Sequence, residues 1–371
     1  MKFPRTLPYF AFLATLPMLL ALGLGAHSAD THAGQPGAVR KIALAEDSQG
    51  EFVNFGEWKE VTGFIDQMVE KHGFDKAELQ AILAQVKYAE AAIELIKPAP
   101  PGRLKNWQAY RARFVEPIRV NAGVQFWNDY AGDLEHAEIQ YGVPAEIIVG
   151  IIGVETVYGR NTGNFRVLDA LTTLAFDYPN TPTRIARMDF FRGELENVLL
   201  YARESGIDPW SLTGSYAGAI GWPQFMPGSI RAYAVDFDQD GKIDLRNSPA
   251  DAIGSVAHYL TMHGWRRGYP IVFPATIAPS TGSDQRWTSF IGQGLQAKYT
   301  FDALASAGVV PAPQVPADLL YGLVDLQNGT EATEYWLGTD NFFAITLYNR
   351  SFFYAMSVIE LGRTVSAMRN R

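Results

Sequence analysis

The stretch EIIVGIIGVETVYGR, residues 146–160, places one ionisable group, Glu155, inside an almost wholly apolar run. Pro144 suits the first turn of a helix, and a rotation of about 100° per residue sets Glu155 between Ile148 and Ile151, beside Ile152. The other faces carry Val149, Gly153, Val154 and Val157, so no side of this helix is suited to water. Such a helix belongs at the centre of a helical core. A carboxylate in that company is disfavoured as the ion, which raises its pKa and makes it a proton donor near neutral pH. The alternative is an ion pair with a buried arginine such as Arg160 or Arg166, and the residues alone leave both open.

With 371 residues, 47% of them hydrophobic and 13% aromatic, the chain can bury a sizeable core in two or three subdomains, which excludes disorder for most of it. Lys2 and Arg5 precede the apolar run YFAFLATLPMLLALGLGA and the small residues of AHSA. That order predicts a secretory signal over residues 1–28, cleaved near Ser28. An uncleaved anchor fits less well, because Pro17 and several glycines and alanines dilute a short run. The chain has no cysteine, so an exported protein of this kind is held by its core, and it lacks the residue that a bacterial lipoprotein anchor requires. A soluble exported protein is expected. The formal charge of −8 becomes −10 without Lys2 and Arg5, and there is no basic cluster, which argues against nucleic acid as a partner.

Residues 29–50 have few large side chains and read as a linker. From Glu57 the helical period appears. DKAELQAILAQVKYAEAAIELI, residues 75–96, predicts one helix that starts on Asp75, with Glu78 completing a capping box ahead of Leu79, Ile82, Leu83 and Val86. The prolines of KPAPPGR end it. Further helices are expected at roughly 107–115, 122–141, 144–158, 166–176, 184–204 and 249–263. From about residue 268 the character changes: YPIVFPATI and YGLVDLQNGTEATEYWL are rich in β-branched and aromatic residues, and Asn328-Gly329 signals a hairpin because both tolerate positive φ. Helix returns in NRSFFYAMSVIELGRTVSAMR, where Phe352, Tyr354, Ala355, Val358, Ile359 and Leu361 form an apolar stripe.

Two segments carry chemistry besides Glu155. SLTGSYAGAIGWPQFMPGS, residues 211–229, mixes small residues, aromatics and isolated polar groups, which suits a loop that holds a sugar with ring faces on aromatics and hydroxyl or N-acetyl groups on residues such as Gln224 and Ser215. A glycine-rich core turn is the plainer reading. DFDQDGKIDLRNSPAD, residues 236–251, begins like an EF-hand loop, with Asp236, Asp238 and Asp240 at alternate positions, Gly241 for the turn and a backbone carbonyl at Lys242. The twelfth position is Asn247 where a glutamate is usual, so the closing carboxylate must come from farther on, and Asp251 is the candidate. Clustered aspartates repel one another without a cation, so structural calcium and no organic cofactor is expected, against a solvated acidic turn capping the helix near Pro249.

The ordered motifs GVETVYGR, LDALTTLAFDYP, FRGELENVLL, GSYAGAIGWPQFMPGS and DAIGSVAHYL resemble the lytic murein transglycosylase B family, from about residue 50 to the C-terminus. The resemblance implies an α+β, predominantly α fold. A lysozyme-like core over 138–267 would hold the EF-hand-like loop 236–251, with an N-terminal helical domain over 51–137, a small β-rich domain over 268–340 and a C-terminal helical segment over 341–371 completing the cleft. It implies cleavage of peptidoglycan glycan strands between N-acetylmuramic acid and N-acetylglucosamine, with Glu155 as the single acid and base and a 1,6-anhydro product. Tyr110, Ser215, Gln224, Tyr259, Tyr348 and Tyr354 would line the cleft, and Asp251 would join Asp236, Asp238, Asp240 and the Lys242 carbonyl around calcium.

The chain departs from the family twice. The family's adjacent arginines after its YP contact peptide stems, whereas YPNTPTRIAR spreads Arg184 and Arg187 apart and leaves their role unassigned. The missing lipoprotein cysteine points to a periplasmic monomer rather than an anchored one, with glycan strands as partner and cell-wall synthesis proteins as further candidates. The competing function is a non-catalytic peptidoglycan-binding scaffold with a structural calcium site. The intact Glu155 and its apolar neighbours argue against it.

Overall fold

The computed structural model describes residues 58–98, 102, 104–279 and 285–371; the expected signal segment and linker lie outside the described residues. The helical part runs α1 Lys59–His72, α2 Lys76–Ala84, α3 Glu90–Ile96, α4 Trp107–Arg111, α5 Pro117–Asp129, α6 Ala131–Tyr141 and α7 Ala145–Thr156. A two-stranded ribbon, β1 Phe165–Arg166 with β2 Thr213–Gly214, flanks α8 Val167–Phe176 and α9 Arg184–Ser205. Next come α10 Pro227–Tyr233 and α11 Pro249–Met262. The β-rich part holds β3 Val272–Ile277, β4 Tyr299–Thr300, α12 Phe301–Ser306, β5 Val309–Pro311, β6 Leu320–Asn328 and β7 Glu331–Gly338, and the chain closes with α13 Asp340–Tyr348 and α14 Phe352–Arg369.

Every residue of α7 except Glu146 is buried, as a helix apolar on all faces requires. Its closest neighbour is α14, and glycines let the two backbones meet. A Cβ on Gly150 would lie 2.3 Å from the Val358 carbonyl oxygen, and one on Gly362 would lie 2.0 Å from that of Glu146. The approach brings the first turn of α14 beside the last turn of α7.

Several helices differ from the sequence expectation, each for a local or tertiary reason. Asp75 does cap α2, its Oδ1 accepting from the Glu78 amide at 2.8 Å. The helix expected over 75–96 nevertheless breaks between Ala84 and Glu90. Asp169, Thr173 and Asp177, spaced four apart along α8, take up the break: the Lys87 amide donates to Asp169, the Ala89 amide to Thr173 and the Tyr88 hydroxyl to Asp177. The helix expected over 122–141 starts earlier, because Glu116 accepts from the Ile118 and Arg119 amides ahead of Pro117, and it divides at Tyr130. The helix expected over 144–158 stops at Thr156 because Val157 and Tyr158 both turn left-handed, at φ 53° and 57°.

The five-stranded antiparallel sheet has the order β4-β6-β7-β3-β5. Alternation along β6 serves two cores: Tyr321 and Leu323 face a small cluster with Leu304, Val309 and Leu337, whereas Val324 and Leu326 join the main helical core. The hairpin forms where expected but one residue later, since Asn328 still pairs with Glu331 and only Gly329 in the turn has positive φ, at 65°. Among the described residues no single helix is long and apolar enough to cross a membrane.

The α7–α14 contact predicts that Gly150→Ala and Gly362→Ala each lower stability by about 1–3 kcal/mol through overpacking. Gly63→Ala in α1 and Gly193→Ala in α9, where an added Cβ meets nothing within 4 Å, should instead raise stability by up to about 1 kcal/mol. Urea unfolding of the four variants checks the contrast.

Candidate active site

Glu155 sits in the last turn of α7, buried among the aliphatic residues of its own helix. Its partner is neither arginine that the sequence offered. Arg160 is exposed, and Arg166 pairs with Asp169 at 2.6 Å. The Tyr354 hydroxyl, from the first turn of α14, donates to Glu155 Oε1 at 2.7 Å. Burial pushes the Glu155 carboxyl up to about 7, and the Tyr354 hydrogen bond pulls the other way. Burial, with the neighbouring Glu155 and Tyr348, holds the Tyr354 hydroxyl well above its ordinary value, so it stays a donor.

An aromatic wall extends from this pair. Tyr348 stacks on Tyr354 with centroids 6.2 Å apart and meets Tyr259 edge-on at 4.9 Å, while Phe225 packs against both Tyr259 and Tyr348. The hydroxyls hold backbone: Tyr348 donates to the Pro223 carbonyl and Tyr259 to that of Leu347. Tyr110 approaches from α4; burial pushes its hydroxyl up to about 12, with Arg113 opposing and Glu155 adding to the rise. Five of the expected residues therefore converge: Glu155, Tyr110, Tyr259, Tyr348 and Tyr354.

Ser215 and Gln224 stand in the loop beside this wall, with much of their bonding capacity directed inward. Ser215 Oγ accepts from the Ala217 and Ala219 amides, closing the start of the loop. Gln224, at φ 51°, donates from its side-chain amide to the Gly221 and Thr162 carbonyls. Thr156 joins this loop to α7, its hydroxyl donating to the Trp222 carbonyl at 2.9 Å and accepting from the Gly159 amide at 3.0 Å.

Three groups near the site went unread in the sequence. Thr156 had only its place after Glu155 as a signal. Arg119 had none: it is buried, and its Nε donates at 2.9 Å to the Gly153 carbonyl in the last turn of α7, which also accepts from the Val157 amide. Glu194 is the third, and nothing around it in the sequence marks an apolar setting. Burial pushes its carboxyl up to about 7 against a hydrogen bond from the Gly228 amide, which it accepts at 2.8 Å to cap α10 from α9. Asp169 and Asp177 are committed to the α2–α3 break. Arg184 donates to the Tyr178 carbonyl, and Arg187 is buried.

In the acidic loop Asp236, Asp238 and Asp251 bring carboxylate oxygens within 4.8 Å of one another. Asp240 falls outside that group: its carboxylate accepts from the Lys242 amide, and its own amide donates to Asp236 and Asp238. Asp251 is buried and holds the ends of the loop, accepting from the Phe237 and Asp244 amides at 2.7 Å each. Burial raises its pKa despite those bonds, with Asp238 adding to the rise. A set of oxygen donors with one buried carboxylate fits a hard divalent cation. The nearby Asp133 on α6 is raised by burial and then by Asp238, so negative charge is concentrated here.

The chain matches the family described as Transglycosylase SLT domain over residues 56–363. It is 45% identical over 316 residues to the membrane-bound lytic murein transglycosylase B of Escherichia coli (strain K12), covering 82% of each chain. Its structure is similar to that of the soluble lytic transglycosylase SltB1 from Pseudomonas aeruginosa, with TM-score 0.75, 45% identity and coverage of 84% of this chain and 100% of that one. It is also similar to the Escherichia coli lytic transglycosylase SLT35 in complex with calcium, with TM-score 0.74, 44% identity and coverage of 86% and 96%.

A carboxyl near 7 makes a definite pH prediction. An acid catalyst must be protonated, so activity should fall as pH rises through about 7. Tyr354→Phe removes the hydrogen bond that favours the carboxylate, which should carry this basic limb to higher pH. Because the folded pKa lies above the ordinary 4.5, the contribution of Glu155 to stability is full below pH 4.5 and is lost as pH rises to about 7. Rate profiles and melting curves across that window test both, and a basic limb unmoved by Tyr354→Phe would count against the pairing.

Proposed function

The chain belongs to the transglycosylase SLT domain family, and from that premise we propose that Glu155, acting alone, is the catalytic acid and base of a lytic murein transglycosylase. The reaction is cleavage of peptidoglycan glycan strands with formation of 1,6-anhydro-N-acetylmuramic acid. The observation that carries the assignment is the buried Glu155 with a pKa near 7 and one oxygen held by Tyr354.

Protonated Glu155 gives its proton to the glycosidic oxygen between N-acetylmuramic acid and N-acetylglucosamine, and that bond breaks. The positive charge that develops at C1 is sheltered by the substrate's own N-acetyl group. Glu155, now a carboxylate, takes the proton from the muramoyl 6-hydroxyl as that oxygen bonds to C1. The carboxyl ends the cycle protonated, and no water is consumed. Hydrolysis would need a second carboxylate as nucleophile or base. Intramolecular attack replaces it by proximity. The commitments of Asp169, Asp177 and Glu194 elsewhere support a single-carboxylate mechanism.

Tyr110, Ser215, Gln224, Tyr259, Tyr348 and Tyr354 are assigned to the sugar-binding groove. Their inward hydrogen bonds support a pre-formed wall that offers ring faces to the glycan. The division into a helical domain over 51–137, a core over 138–267, a β domain over 268–340 and a closing segment over 341–371 fits this arrangement. Calcium is assigned to Asp236, Asp238 and Asp251, with Asp240 and the Lys242 carbonyl as further oxygens of the same loop. It would brace the turn between the groove loop and α11 without taking part in the chemistry. Export to the periplasm is supported by the order of residues 1–28 and by the wall substrate.

Glu155→Gln should keep the fold and saccharide binding and lower sacculus cleavage by at least about a hundredfold, because the amide can neither give nor take the proton. Wild-type products should end in 1,6-anhydro-N-acetylmuramic acid, one water lighter than a reducing end. Mass spectra that held only reducing ends would overturn the mechanism.

Calcium at one hundred times its Kd should add about 2.7 kcal/mol of stability, raising the melting temperature, and chelator should lower it. Asp238→Asn should abolish that response while cleavage below the melting transition survives. A wild-type melting curve indifferent to calcium and chelator removes the assignment.

A further inference from the structure

Tyr110 stands on α4, a helix of five residues. One turn and a half cannot hold its own place in water. Pro98, two residues past the end of α3, also prevents that helix from running on toward α4. Two distant elements hold it instead.

On one side is the tip of the β6–β7 hairpin, more than two hundred residues away in the chain. Asn328 forms an antiparallel bridge with Asn106, and its side-chain oxygen accepts from the Gln108 amide at 3.1 Å. The Gly329 amide donates to the Lys105 carbonyl at 2.8 Å, and Glu334 accepts from the Gln108 side chain. Gly329 is at φ 65° and a Cβ there would come within 3.3 Å of Asn106, so the tip fits this segment closely. On the other side is α14: the Phe353 ring meets Trp107 and Tyr110 at 5.4 Å each, and Glu360 pairs with Arg111. Phe353 directly precedes Tyr354, the partner of Glu155.

We propose that the hairpin tip of the small β domain is a positioning element for the reaction, pressing α4 against α14 so that Tyr110 stands at a set distance across the groove from Glu155 and Tyr354. The domain thereby acts on glycan affinity without touching the glycan, and Asn328 and Gln108 are its positioning residues. This rests on the assignment of Tyr110 to the groove.

The test is steady-state cleavage of soluble glycan oligomers by Asn328→Ala/Gln108→Ala, Tyr110→Ala and the combined variant. A contact used equally in the ground and transition states raises KM and leaves kcat alone. The double variant should raise KM about three- to tenfold, as expected for the loss of a hydrogen bond, with kcat within about twofold. In the Tyr110→Ala background the same double change should have little further effect, because both act through one side chain. Asn328→Asp in place of Asn328→Ala, still with Gln108→Ala, keeps the oxygen acceptor for the backbone amide of residue 108 and should recover part of the rise in KM. Gln108→Ala alone leaves the hairpin turn intact, so a smaller rise in KM with an unchanged melting temperature separates positioning from unfolding of the sheet. If Tyr110→Ala raises KM while the double variant does not, the brace is wrong and the groove assignment stands. If Tyr110→Ala leaves KM at the wild-type value, the groove assignment fails and the brace with it. Additive effects in the combined variant overturn action through Tyr110.

Discussion

The backbone contact between α7 and α14 governs everything around Glu155. Two helices that cross over side chains stand 8–10 Å apart. Here Gly150 and Gly362 remove the intervening atoms and let each helix touch a carbonyl of the other. Only at that separation does a tyrosine in the first turn of α14 reach the carboxylate in the last turn of α7. The same approach excludes water from the carboxyl, which is why burial, and not a charged neighbour, sets its proton affinity.

The loop opposite is held by a different means. Thr156, Gln224 and Ser215 direct their hydrogen bonds into the loop's own backbone, and Tyr348 clamps it through the carbonyl of Pro223. Polar side chains that elsewhere would be mobile are thus ordered in advance, with Gln224 kept in the left-handed region at some cost in strain. A surface ordered in this way has little freedom left to lose on binding, which suits the groove role proposed for it. The left-handed residues Val157 and Tyr158 turn the chain sharply after Glu155, so the carboxyl lies at an end of α7 and not along its side.

Local patterns made much of this readable from residues alone. The apolar helix round Glu155, the Asp75 cap and the Asn328-Gly329 hairpin are all decided within a few positions, and they appear as expected or displaced by one or two residues. What could not be read depends on partners far along the chain. The break after Ala84 is imposed by a polar stripe on α8, and Arg119 is drawn inward by the carbonyls of Gly153 and Arg113. The tyrosines near Glu155 were named through family resemblance, since nothing in the spacing of residues 110, 259, 348 and 354 brings them together. Glu194 escaped notice because its burial comes from α10, which no periodicity announced.

The order of elements along the chain has a consequence for when the protein becomes active. Glu155 is made early, but Tyr354, nearly two hundred residues later, belongs to the final helix. A growing chain therefore carries Glu155 long before it holds Tyr354, and the wall of tyrosines forms only when α13 and α14 have docked. A break anywhere ahead of Phe352 would leave Glu155 in place on a helix with its inner face open to solvent. The pair that sets the proton affinity of Glu155 is therefore the product of two distant stretches of chain and cannot form before α14 has been made.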